Sequence, residues 1–160
     1  MANALHSDED DCNCTAMRKA SRWLSQMYDA ALAPAGLRST QYSILRELRR
    51  RVDDPPLMGQ LAEVMVMDRS TLGHNLIPLE RDGLVRLEPS RADRRSKQVV
   101  LTAGGRRKYA EALPLWRQAQ DRFEKRFGEV EAAYLRKMLL GIAGDAQLMQ
   151  SAPASHAEAP

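Results

Sequence analysis

A mainly α-helical fold with one small β-hairpin is what the sequence predicts, on three observations. Apolar residues recur at three-and-four spacing over most of the chain. Apolar and charged residues alternate over 84–88, as expected of a half-buried strand, and residues 98–101 (QVVL) return to the same sheet. Proline and glycine clusters separate the periodic stretches. At 160 residues the chain suits one domain and can bury a proper core.

Residues 1–12 include the acidic run SDEDD and lack the basic start and apolar centre of a signal peptide, so a flexible acidic tail is expected. Over residues 14–32, Met17, Ala20, Leu24, Met27 and Ala31 keep helical spacing, Trp23 and Tyr28 widen the stripe, and Pro34 and Gly36 end it. A second helix, capped by Ser39 or Thr40, carries Tyr42, Ile44, Leu45 and Leu48 and runs to Val52. Asp53-Asp54-Pro55-Pro56 breaks the chain there. Residues 57–64 form a short amphipathic helix with Leu61 inward, and Met65-Val66-Met67 lead to a helix capped by Asp68.

In that next helix Leu72, Leu76 and Leu79 make an apolar face, and the opposite face carries Ser70, Thr71, His74 and Arg81. Pro78 removes the amide that would bond to the His74 carbonyl, which predicts a kink or local loosening. Asp82-Gly83 supplies a left-handed stop. Strands over 84–88 and 98–101 follow, with Pro89, Ser90 and the run RADRRSK leaving the sheet between them, so Arg91, Arg94, Arg95 and Lys97 project. After Gly104-Gly105, Tyr109, Leu113, Trp116, Phe123 and Phe127 line one side of a long helix stopped by Gly128. A last helix holds Val130, Leu135, Leu139 and Ile142, and residues 151–160 form a second flexible tail.

Helix, tight turn, helix and basic hairpin in this order describe a winged helix-turn-helix, and phosphates are the natural counter-charge for its projecting cations. The pieces Leu61-Ala62-Glu63, Ser70-Thr71, Leu79 to Val85 (LERDGLV), Asp93-Arg94-Arg95 and Leu101-Thr102-Ala103-Gly104 resemble the multiple antibiotic resistance regulator (MarR) family in order and separation. The resemblance implies a MarR-type domain over 13–150, its winged helix-turn-helix over about 40–103 and dimerisation helices over about 13–34 and 105–149. On apolar patterning alone the terminal helices suit an intramolecular core as well as a partner. The resemblance favours a homodimer, whose two-fold axis would set two recognition helices about 34–36 Å apart.

Duplex operator DNA is therefore the expected partner. Ser70, Thr71 and His74 are candidates for base edges or phosphates, flanked by Arg69 and Asn75, with helix-start capping an equal role for Ser70 and Thr71. In the wing, the resemblance implies that Arg95 reaches the minor groove or its phosphates, oriented by Asp93 through a charge-assisted bond. Arg94 and Lys97 are expected on the phosphate backbone, with plain solvation as the alternative, and Arg91 is a further DNA-binding candidate on the same projecting turn. The net charge of +3 is modest, but acidic residues crowd 7–11 and basic ones crowd 86–108, and the local patch matters more than the total.

For regulation, the family resemblance offers two routes. Trp23, Met27, Tyr28, Leu37, Tyr42 and Met65 are candidates to line a cleft for a small aromatic or acyl-type effector. Cys14 resembles the sensing thiol of the hydroperoxide-responsive branch, although Arg18 and Ser39 stand where that branch tends to carry tyrosines. Cys12 and Cys14 are too close in sequence to bridge without strain, and no disulfide framework is indicated. His6, Asp11, Cys12 and Cys14 lack the second cluster that a zinc site needs, and no nucleophile-base grouping or phosphate loop points to an enzyme. No cofactor is expected. The absence of a membrane-length apolar run makes a cytoplasmic regulator the expectation, a repressor in the family's usual mode. A constitutive architectural DNA-binding protein is the remaining alternative.

Overall fold

The computed structural model describes residues 12–90, 93 and 95–149; the acidic run at 7–11, Arg91, Arg94 and the tail at 151–160 lie outside the described residues. Among the described residues six α-helices and one hairpin follow in the order α1 (Asn13–Leu32), α2 (Ser39–Arg50), α3 (Met58–Val64), α4 (Arg69–Arg81), β1 (Val85–Pro89), β2 (Lys97–Leu101), α5 (Ala103–Phe127) and α6 (Glu129–Gly144). The mainly helical fold with a two-stranded wing is as the sequence predicts. Two compact units divide at Asp121.

In the first unit, α1 ends in a 3-10 turn, Ala33–Ala35, closed by left-handed Gly36. The cap of α2 differs from expectation. Ser39 is already helical, and its amide donates to the Asp29 carboxylate at 2.6 Å. Arg38 takes the N-cap position, its amide donating to the Gln41 side-chain oxygen at 2.8 Å. The core gathers Leu32, Leu37, Tyr42, Ile44, Leu45 and Leu48 with Leu61, Leu72, Leu76 and Leu79 and with Val85, Val99 and Leu101 of the hairpin. Each fully buried leucine contributes roughly 1.5–3 kcal/mol. Tyr42 lies between Tyr109 and Trp116 of α5, with ring centroids 5.4 and 5.8 Å away, while the Arg46 guanidinium sits 5.2 Å above Trp116. Tyr28 donates to the Gln120 side-chain oxygen at 2.7 Å, tying α1 to α5.

The hairpin runs antiparallel from Val85 opposite Leu101 to Pro89 opposite Lys97. Pro89 and Lys97 thus belong to the sheet rather than to the turn, a correction to both strand boundaries. Proline is tolerated there because it closes the strand at its outer end, where a missing donor costs least. Leu57 adds a bridge to Gln98, and the Val99 amide donates to the Pro56 carbonyl at 2.9 Å, so the segment before α3 lies along β2. Thr102 caps α5, its hydroxyl accepting from the Gly105 amide at 2.9 Å while donating to the Gly83 carbonyl at 2.7 Å. Gly105 is required at this joint, since a Cβ would strike the Leu84 carbonyl oxygen.

In the second unit, Phe123 and Phe127 stack at 4.6 Å, Arg136 pairs with Glu124 at 2.8 Å, and Ala132 is buried. Most of α6 is uncovered within one chain, with Val130 78 % and Leu140 73 % exposed. Among the described residues no helix is long and apolar enough to cross a membrane.

Candidate nucleic-acid interface

The path from α3 to α4 is set by Leu61 and Ala62, which are buried, and by Val66, whose φ of 52° places a β-branched residue in the left-handed region. That conformation lets the Val66 and Met67 amides close the end of α3, bonding to Glu63 and Ala62 at 3.0 and 2.9 Å. Leu72, Leu76 and Leu79 then seat α4 on the core, and its other side is left to solvent. At its far end left-handed Gly83 turns the chain into β1, with the Leu84 amide reaching back to Leu79 at 2.8 Å.

Asp68 caps α4 as predicted. Its carboxylate accepts from the Thr71 amide at 2.8 Å, from the Thr71 hydroxyl at 2.6 Å and from the Ser70 hydroxyl at 2.5 Å. These donors, the Ser70 hydroxyl foremost, hold its carboxyl well below the usual carboxylate range. One turn on, His74 Nδ1 lies 2.8 Å from the Ser70 carbonyl, and the Asn75 amide donates to the Thr71 carbonyl at 2.8 Å. Arg69, Ser70, Thr71 and His74 are exposed and Asn75 half-buried, so the five predicted α4 residues share one accessible turn and a half.

Arg69 does more than flank them. Its guanidinium lies across Gly59, where a Cβ would come within 3.1 Å of the Nη2 atom. It thereby helps to line an open cavity of about 500 Å³ together with Leu57, Met58, Gln60, Arg95, Ser96 and Lys97. Among the described residues none of Arg69, Arg95 and Lys97 is in an ion pair. Helix α4 and the wing therefore converge on one concave, carboxylate-free cationic surface.

Asp93 holds the wing differently from the role implied for it. Its carboxylate accepts from the Arg95 backbone amide and from the Ser96 hydroxyl, both at 2.9 Å, so it shapes the turn instead of orienting the Arg95 guanidinium. Arg95 and Lys97 are exposed. One residue was missed by the sequence reasoning. Ile77 is 61 % exposed on the face shared by Ser70, His74 and Arg81. Its position three after His74 carried the signal, but an apolar residue in an amphipathic helix is ordinarily counted towards the core.

The six residues expected to line an effector cleft differ in burial within one chain. Leu37 and Tyr42 are core, Met65 packs against it, Met27 and Tyr28 are half-buried, and Trp23 is 73 % exposed. Leu37 also borders a cavity of about 440 Å³ with Asp29, Arg38, Gln41, Arg81 and Asp82. Cys12 and Cys14 are free and exposed. Bonds from the Thr15 hydroxyl and amide pull the Cys12 thiol below its ordinary range at the start of α1. No group of three or more metal-ligating side chains occurs among the described residues.

Comparison with known proteins decides the family. The MarR family model matches residues 35–96. The transcriptional regulator HosA of Escherichia coli is 31 % identical over 125 residues, covering 74 % of this chain and 84 % of HosA. The chain belongs to the MarR family. It is a transcriptional regulator of the winged-helix type. Among solved structures, the M. tuberculosis regulator MosR in complex with DNA superposes with a TM-score of 0.77 at 35 % identity, over 88 % of this chain and 100 % of MosR. The repressor CouR of Rhodococcus jostii, bound to a 23-mer duplex, gives a TM-score of 0.77 at 25 % identity over 89 % and 99 % of the two chains.

Proposed function

We propose that this MarR-family protein is a homodimeric repressor that inserts α4 into the major groove of an operator, sets its wing against the adjacent backbone and minor groove, and releases DNA when a small aromatic or acyl-type ligand binds. The observation that carries the DNA reading is the convergence of Arg69, Arg95 and Lys97 on one cavity beside the exposed polar turn of α4. MosR and CouR, each solved on DNA, support the same use of the fold. The uncovered apolar residues of α6 support a partner chain, since Val130, Tyr134 and Leu140 in water would favour association. The effector site is assigned to the surroundings of Trp23, Met27, Tyr28, Leu37, Tyr42 and Met65, where Tyr42 has a buried hydroxyl without a partner among the described residues.

A thiol switch is the second reading, and the lowered Cys12 thiol favours it. In that reading Cys12 is the attacking thiolate and Cys14 its neighbour, a change of emphasis from Cys14 alone.

The test begins with selection from random duplexes, followed by operator titrations against salt, aromatic acids and acyl thioesters, and peroxide. Arg95→Ala is expected to weaken operator binding by about 1–3 kcal/mol. Lys97→Ala is expected to weaken all duplexes alike and to reduce the salt slope by about 1, the share of a single phosphate. Release by peroxide that vanishes in Cys12→Ser would replace the ligand mechanism. Binding without sequence preference or response would leave an architectural protein.

A further inference from the structure

The side chains of α4 that point most directly away from its buried leucines are Ser70, His74, Ile77 and Arg81. Arg81 is engaged by Asp82 at 2.9 Å. The hydrogen-bond polarity of the others follows from their bonds inside the protein. A carbonyl oxygen can only accept, so the 2.8 Å contact between His74 Nδ1 and the Ser70 carbonyl puts the ring proton on Nδ1. In the neutral ring Nε2 is then an acceptor. The Ser70 hydroxyl spends its proton on Asp68, which leaves it lone pairs only. Ile77, 61 % exposed and next along this ridge, offers neither donor nor acceptor. Gly73 beside them leaves open space, for a Cβ there would meet nothing within 4 Å.

This ridge therefore presents acceptors followed by an apolar group. In the major groove guanine shows acceptors at O6 and N7, which an acceptor does not satisfy. Cytosine N4 and adenine N6 are donors, and only the A·T pair sets a methyl group on the same edge. We propose that His74 and Ile77 together select an A·T pair in each operator half-site, His74 Nε2 accepting from the adenine N6 amine while Ile77 packs on the thymine methyl. The proposal rests on the insertion of α4 into the major groove proposed above.

The experiment uses the full-length protein and the operator obtained by selection, in which an A·T pair is expected at one matching position of both halves. Replacing that thymine by uracil in one half removes only the methyl and should weaken wild-type binding about fourfold. Replacing the adenine by unsubstituted purine removes the amine and should weaken it by about two- to tenfold. Ile77→Ala should bind the thymine and uracil duplexes equally, and His74→Ala the adenine and purine duplexes equally, both with wild-type melting temperatures. Wild-type binding indifferent to both analogues at every half-site position, or variants that keep wild-type discrimination, would overturn the pairing while leaving DNA binding intact. A selection that returns no preferred duplex removes the reading of α4 as a sequence reader, and the pairing with it.

Discussion

Tyr42→Phe is expected to stabilise this protein, against the usual sign of a core substitution. The side chain is 2 % exposed and stacked between Tyr109 and Trp116, contacts that a phenylalanine ring keeps. Its hydroxyl has no hydrogen-bond partner among the described residues. The Tyr109 phenol stands near enough to oppose ionisation. A buried, unsatisfied hydroxyl costs about 1–3 kcal/mol, and the void left by one oxygen returns a fraction of that. A net gain of about 1 kcal/mol remains, or roughly 2–4 °C in melting temperature for a chain of this size.

Burial, foremost, and then Tyr109 push the Tyr42 phenol well above its ordinary value. The unfolded chain therefore ionises first, so the neutral phenol's contribution is intact below about pH 10 and is lost as pH rises beyond it. The phenylalanine variant should lack that part of the alkaline loss. Thermal unfolding at matched protomer concentration, repeated across pH 8 to 11, measures both effects. A destabilisation of about 1 kcal/mol or more would show that the hydroxyl is bonded in the folded protein and would refute the reasoning. If the hydroxyl is retained to meet the effector, the same variant should bind operator normally and respond to ligand less.

Three further perturbations address the joints of the winged unit. Gly105→Ala forces a Cβ onto the Leu84 carbonyl oxygen, and overpacking of about 1–3 kcal/mol exceeds the ~1 kcal/mol gained in helix propensity, so urea unfolding should show a net loss. Val66→Gly relieves a left-handed β-branched residue at φ 52°. The relief of about 1–2 kcal/mol outweighs the extra chain entropy of glycine, so a lower urea midpoint would contradict the assignment. Asp68→Ala should lower stability at neutral pH. The wild-type carboxyl is depressed, so its contribution is present above about pH 3.9 and lost as pH falls; wild type and variant should converge in acid, and parallel curves would count against the cap.

What the sequence discloses here is what local chemistry controls. The Asp68 cap, the Leu72-Leu76-Leu79 face and the Gly83 stop each depend on neighbours within a turn or two, and each stands where the pattern puts it. The cap of α2 was not legible, because Asp29, ten residues upstream, takes the Ser39 amide that a local reading gives to a serine or threonine cap. The strand boundaries slipped for the same reason. Lys97 pairs with Pro89 because Leu57 and Pro56, from before α3, extend along β2 and hold it in register. The α1 stripe is correctly helical, yet Trp23 lies exposed within one chain, for amphipathicity fixes a face and says nothing of what covers it.

The sequence also posed capping and readout as rival roles for Ser70 and Thr71, and the geometry removes the rivalry. Both hydroxyls donate to Asp68, and donating consumes the proton while leaving the oxygen's lone pairs available. The cap thus leaves these hydroxyls as acceptors of fixed orientation, and in the proposed mode of binding that is how they would read. Asp93 acts alike in the wing, spending its carboxylate on the Arg95 amide and the Ser96 hydroxyl. Asp68 and Asp93, which flank this surface, are both occupied by neighbouring donors that set the backbone, and Arg69, Arg95 and Lys97 are left without acidic partners among the described residues. In the proposed mode of binding the cations carry the affinity, and the acceptors and Ile77 the discrimination. The two can therefore be varied separately.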